Sequence, residues 1–184
     1  MIRVFPIAAP TTLTNSFGYA RSGGRAHQGN DLFANEGSPL VAVDDGQIRS
    51  GVDPLGGNIV NLYGADGARH YYAHLSAFAL PDGSATGSTP GPRTVRAGDV
   101  VGFLGHTGNA VGTQPHLHFE THPGNGAAVD PYPALVAAPR VTPNQRPGAP
   151  PSALVTALVV GLGAAAIWSL LNPLEARRLA ERMW

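Results

Sequence analysis

The 184 residues carry 12 arginines, no lysine and 12 acidic side chains, a formal charge of zero, so no net field draws the chain toward nucleic acid or an anionic lipid surface, and nucleic acid is not expected as a partner. Cysteine is absent, which excludes disulfide staples, thiolate metal ligands and cysteine nucleophiles together. Glycine (24) and proline (17) exceed a fifth of the chain while 43% of residues are hydrophobic, a balance met by one core built from short strands and many tight turns.

The opening residues, MIRVFPIAAPTTLTNSFGYA, hold one arginine and no continuous apolar stretch, so no N-terminal signal peptide is expected. β-branched or alternating runs follow at 39–44, 46–50, 58–63, 69–75, 95–104 and 116–121. The pairs Asp45-Gly46, Gly56-Gly57, Asp66-Gly67 and Gly98-Asp99 punctuate them, which predicts hairpins. The expected fold class is all-β, an antiparallel sandwich or partly open barrel spanning residues 1–138, and no stretch before residue 150 keeps a helical period. Residues 79–94 read as a long surface loop between two strands.

Residues 139–151, PRVTPNQRPGAPP, contain five prolines and no periodicity, the composition of a semi-extended linker. Residues 153–171 lack any charged side chain, and as a helix they would measure about 28 Å, the thickness of a hydrocarbon core. A transmembrane helix is therefore predicted over 152–172, a buried soluble helix being the other reading. Ala153, Ala157, Gly161, Ala165 and Ser169 recur every four residues and form a small-residue stripe suited to a helix partner or a second copy. The charged tail 173–184 has three arginines against two glutamates, which favours the cytoplasmic side only weakly.

Metal-binding side chains concentrate in three places: His27 with Asp31, then His74, then His116 with His118. In a strand, residues two apart point to one face, so His116 and His118 can reach one site. His27 and Asp31 flank Gln28-Gly29-Asn30, where glycine permits a bend that brings imidazole and carboxylate together. Two imidazoles and one carboxylate leave a fourth tetrahedral position open, the arrangement of a catalytic rather than a structural zinc.

Four segments, HQGNDLFANEGSPLVAVDDGQI, GGNIVNLYGADGARHYYAHLS, VRAGDVVGFLGHTGNAVGTQPHLHFE and VDPYPAL, stand in the order and spacing of the lysostaphin/LytM-like zinc metallopeptidases, which the chain resembles over roughly residues 14–136. The resemblance implies a LytM-type β fold, Zn2+ as cofactor and peptidoglycan peptides as substrate. It implies His27, Asp31 and His118 as metal ligands, with His74 and His116 acting on the reacting peptide. All five positions are filled, which disfavours the alternative of a non-catalytic wall-binding or docking protein. No HExxH glutamate is present, so His74 and His116 are the candidates for moving protons, in an order the sequence leaves open.

His70 and Tyr72 alternate with His74 and would share its face, lining a groove or packing across strands. Glu120 shares the face of His118, where it either supports that ligand from behind or, the favoured expectation, stands as a solvated strand carboxylate; His106 and His122 are expected as surface residues. Tyr19 and Arg21 stand upstream of His27, near where some relatives carry an oxyanion-stabilising tyrosine. A wall-cutting enzyme with an apolar C-terminal segment is expected to be membrane-anchored, in a phage virion or a bacterial cell envelope.

Overall fold

A computed structural model describes residues 1–143. The turn pairs set its centre: β6 (Gly46–Asp53), β7 (Gly57–Gly64) and β8 (Arg69–Ala79) form an antiparallel meander. Gly67 adopts a left-handed φ of 79° in the β7–β8 turn, closed by its amide on the Gly64 carbonyl at 3.0 Å. Alternation buries Ile48, Val60 and Leu62 on one face.

Around the meander lie β1 (Thr12–Leu13), a hairpin of β2 (Ala20–Arg21) and β3 (Arg25–Ala26), then β4 (Asn30–Phe33) and β5 (Pro39–Val41). After it come β9 (Ala85–Thr86), β10 (Arg93–Val95), β11 (Val100–Leu104), β12 (His116–His122) and one short helix, α1 (Tyr132–Ala137). The main path runs β1-β4-β12-β8-β7-β6-β10, all antiparallel, as expected for the fold class. β11 joins it through both β5 and β8.

One strand serves two parts of this sheet. Residues 69–73 of β8 pair with β12, whereas Leu75, Ala77 and Phe78 pair with β11. The change of partner falls at His74, whose φ of 68° lies in the left-handed region, and the β7–β8 register shifts there. A strand that changes sheets needs a bulge or bend at the corner, and His74 supplies it.

The core joins Phe5, Ile7, Leu32, Leu40, Ile48, Leu62, Tyr72, Leu75, Phe78, Leu104, Leu117 and Phe119, all essentially inaccessible. Tyr72 is buried whole because its hydroxyl finds partners, donating to the Val41 carbonyl at 3.1 Å and accepting from the Val43 amide at 2.9 Å. The stretch 79–94 is not wholly irregular, since β9 pairs back onto the end of β8. The single turn-and-a-half of α1 is too short to leave a helical period in sequence; it buries Leu135.

Beyond it, Pro139, Arg140 and Val141 still pack on the domain. The Phe5 amide donates to the Pro139 carbonyl, the Arg140 guanidinium lies 4.0 Å over the Phe5 ring, and Val141 touches the small cluster around Val4. Among the described residues no helix is long and apolar enough to cross a membrane. The expected transmembrane helix at 152–172, its small-residue stripe, the charged tail and most of the linker lie outside the described residues.

Candidate active site

β4 and β12 run side by side in a register that sets Asp31 opposite His118. The loop before β4 brings His27 over the same point. One donor atom from each of His27, Asp31 and His118 lies within 4.8 Å of the others. His27 Nε2 is 2.8 Å from His118 Nδ1, and each of these nitrogens is 3.2 Å from Asp31 Oδ1.

The outward-facing atoms of both rings decide which nitrogens are free. His27 Nδ1 lies 2.8 Å from the Ser16 carbonyl, which can only accept, and Arg21 Nη2, at 2.9 and 3.0 Å from the two ring nitrogens, favours neither, so Nδ1 carries the proton and Nε2 the lone pair. His118 Nε2 lies 2.9 Å from Glu120 Oε1, so Nε2–H donates there and Nδ1 is left with its lone pair. Two imidazole lone pairs 2.8 Å apart, with a carboxylate oxygen beside them, repel one another unless a positive charge sits among them. This donor set suits zinc: two nitrogens and one oxygen, each imidazole anchored at its far side.

The field is consistent with that. Burial opposes ionisation of Asp31, yet the His118 and His27 rings beside it hold its carboxyl far below the ordinary carboxylate range. Burial likewise opposes a charge on His118, but the Asp31 and Glu120 carboxylates outweigh it and push its pKa up. The point between these side chains favours positive charge. The Arg21 guanidinium answers the same field, donating through Nη2 to Asp31 Oδ2 and lying 3.0 Å from His27 Nε2. Tyr19 accepts the His27 amide on its carbonyl at 2.9 Å, while its side chain is mostly exposed.

His74 and His116 stand beside the triad, their rings 4.9 Å apart and crossed at 60°. The His74 ring centre is 6.0 Å from that of His118. His74 Nδ1–H donates to the Thr107 carbonyl at 2.9 Å and His116 Nδ1–H to the Gln114 carbonyl at 2.8 Å, so both rings keep Nε2 as the basic atom. Burial, with repulsion from neighbouring His116, pushes the His74 pKa down to about 4 against the opposing Thr107 hydrogen bond. His74 is therefore neutral at neutral pH.

The supports of this site were only partly visible in the sequence. His70 and Tyr72 do not share the face of His74: the bend reverses the alternation, and both lie in the core with His70 stacked on Phe119 at 5.8 Å. Glu120 is not a solvated carboxylate, for its two oxygens meet His118 and His122 at 2.9 and 2.6 Å. His122 is buried rather than on the surface. His106 is partly exposed, 3.7 Å from Glu36.

Ser16 was missed altogether, although it touches both ligands of the first motif, through its carbonyl to His27 and through Oγ to the Asp31 amide. Asn30 in turn takes the Ser16 amide on Oδ1 at 2.7 Å and donates to Asp130 at 3.1 Å. The VDPYP segment thus braces the HQGND loop from 100 positions further along the chain.

The fold and the donor set together define an antiparallel β domain with a candidate two-histidine, one-aspartate metal site. The profile described as Peptidase family M23 matches residues 25–131, and the chain belongs to that family. It is 36% identical over 137 residues to the DD-carboxypeptidase/endopeptidase Mpg of Neisseria meningitidis, covering 72% of this chain and 29% of that protein. To the L-Ala–D-Glu endopeptidase of Bacillus subtilis it is 34% identical over 141 residues, 71% of this chain and 41% of the relative. The catalytic domain of lysostaphin from Staphylococcus simulans superimposes with a TM-score of 0.56 at 32% identity, covering 70% of this chain and 92% of that one. The chain thus spans well under half the length of the full-length curated relatives it matches.

Proposed function

We propose that the chain is a zinc-dependent endopeptidase that hydrolyses amide bonds in the stem peptides or cross-bridges of peptidoglycan. The observation that carries this is the convergence of three unprotonated donors, His27 Nε2, His118 Nδ1 and Asp31 Oδ1, beside two histidines whose Nε2 atoms are free to act as bases. The substrate class is supported by the relatives, whose names place them on bonds of this kind.

When bound, zinc supplies Lewis acidity, polarising an amide carbonyl and making water acidic enough to yield a nucleophile near neutral pH. His74, held neutral and oriented by Thr107, is suited to take a proton from the attacking water. His116, more open to solvent and oriented by Gln114, is placed to return one to the leaving amine or to donate to the oxyanion. The apolar run at 153–171 would tether this domain to a bilayer, in a phage particle or a cell envelope, on the strength of its composition.

Metal content and turnover on purified peptidoglycan test the assignment together. Asp31→Ala and His118→Ala lose both zinc and cleavage, whereas His116→Ala loses cleavage and keeps most of its zinc. Normal turnover in the His118 variant would overturn the proposal.

A further inference from the structure

The face of β12 that carries His118 continues past it. Residues two apart on a strand share a face, so His118, Glu120 and His122 form a row, and their side chains are joined end to end. His118 Nε2 donates to Glu120 Oε1 at 2.9 Å, and His122 faces acceptors at both nitrogens, Glu120 Oε2 2.6 Å from Nε2 and the Gly126 carbonyl 2.9 Å from Nδ1, so it joins the two as a doubly protonated ring. All three are largely removed from water, the side chains being 14%, 13% and 7% exposed.

Their cover is the loop that carries His27. A Cβ at Gly29 would come within 2.2 Å of the Phe119 carbonyl oxygen and 3.0 Å of Glu120 Cγ, so only glycine lets this loop lie flat on β12.

We infer that Glu120 is a positioning residue for the metal centre, fixing the tautomer and rotation of His118, and that His122, anchored on Gly126, holds Glu120 in place. The inference rests on reading His27, Asp31 and His118 as metal ligands. The reason for such a brace is a competing hydrogen bond inside the site. His118 Nδ1 lies 3.2 Å from Asp31 Oδ1. Were the ring proton on Nδ1, it would donate there and two of the three ligands would occupy each other. Glu120 draws the proton to Nε2 and so releases Nδ1 and Asp31 for a cation. His122 takes up the second oxygen, which would otherwise be left unpaired under the loop.

The test is zinc affinity of the full chain, by competition with a chromogenic chelator, read beside the 15N ring shifts of His118, which report its tautomer. Glu120→Ala is expected to weaken zinc by roughly 10–100-fold and to give His118 a population protonated at Nδ1. Glu120→Gln keeps the shape and an acceptor for His118, so it should restore most of the affinity and the Nε2–H tautomer. A residue that merely filled space would show neither the tautomer change nor rescue of the tautomer by Gln. Zinc affinity within twofold of the parent in folded Glu120→Ala, or an unchanged tautomer there, would overturn the inference. Should the Ala variant not fold, His122→Ala carries the test, with weaker zinc and the same change in His118 expected and parental values for both overturning it. Failure of the underlying reading looks different: the parent, or Asp31→Ala measured beside it, would show that zinc binding does not involve the triad at all.

Discussion

His70 offers a measurable consequence of burying a histidine away from the chemistry. It is fully inaccessible, stacked on Phe119, with Nδ1 3.1 Å from Thr121 Oγ1 and Nε2 without a partner among the described residues. Burial, reinforced by the N-terminal amine and His122 and opposed by Asp44, pushes its pKa down to about 4 from an ordinary 6.5. Between those values the unfolded chain binds a proton that the folded chain refuses, so acid favours unfolding. The stability at stake is present in full above about 6.5, falls by about 1.4 kcal/mol per pH unit below it, and is lost, at about 3 kcal/mol in total, once the pH reaches about 4.

His70→Phe keeps the stacking and removes the titration. At pH 7 it should cost about 1 kcal/mol, the loss of the Thr121 hydrogen bond. From pH 7 to 4.5 the parent should lose about 2–3 kcal/mol more than the variant, because the other titrating groups cancel in the difference. Urea unfolding followed by far-ultraviolet circular dichroism at the two pH values measures it. Parent and variant losing stability in parallel would refute the reasoning, showing that water reaches His70 in the folded state.

Three further outcomes follow from the site and its supports. Gly108 has a φ of 68°, and a Cβ there would lie 2.3 Å from the Gly57 nitrogen and the Leu55 carbonyl oxygen, both backbone atoms that cannot turn aside. Gly108→Ala should therefore destabilise the domain by about 2–5 kcal/mol in urea, with turnover falling too because Thr107, which orients His74, is the adjoining residue. His74→Gln should retain zinc near the parental level in a metal assay and lose roughly 100-fold or more in turnover, since a proton acceptor has been removed and no ligand has. Tyr19→Phe should leave turnover within about twofold, because the Tyr19 side chain is 62% exposed and the support it gives His27 comes from its main-chain carbonyl, which Phe keeps.

Elements with a period of two were legible: β6, β7 and β8 begin where alternation and an Asp-Gly or Gly-Gly pair place them, and β12 where alternation alone does. The two-residue strands β1, β2, β3 and β9 were not, because a pair of residues has no period and its place is fixed by a partner distant in sequence, as Thr12 is by Phe33. Residue type and spacing made five candidate side chains legible, since an imidazole or carboxylate must itself touch the ion, and the family resemblance sorted them into three ligands and two histidines for proton transfer. The supports were less so. Ser16 acts on His27 through a main-chain carbonyl, which every residue possesses, and Asn30 and Asp130 meet across 100 positions of chain.

His74 shows why alternation fails at the residue that matters. A straight β8 would turn His74 to the side of His70 and Tyr72, into the core, and leave the metal side with Ala73 and Leu75 at that point. The left-handed backbone at His74 prevents this, at a cost of about 1–2 kcal/mol for a residue with a Cβ. Its amide donates to the Gly56 carbonyl at 2.7 Å, its ring Nδ1 to the Thr107 carbonyl, and Thr107 Oγ1 ties back to Leu75 at 2.9 Å, so the bend is held from both sides. The close approach of Gly57 and Gly108 beneath it admits no side chain. The glycines of the GGN and GHTGN segments are therefore part of the catalytic argument: they let two turns meet where a histidine must leave the strand's own pattern to face His116 and His118.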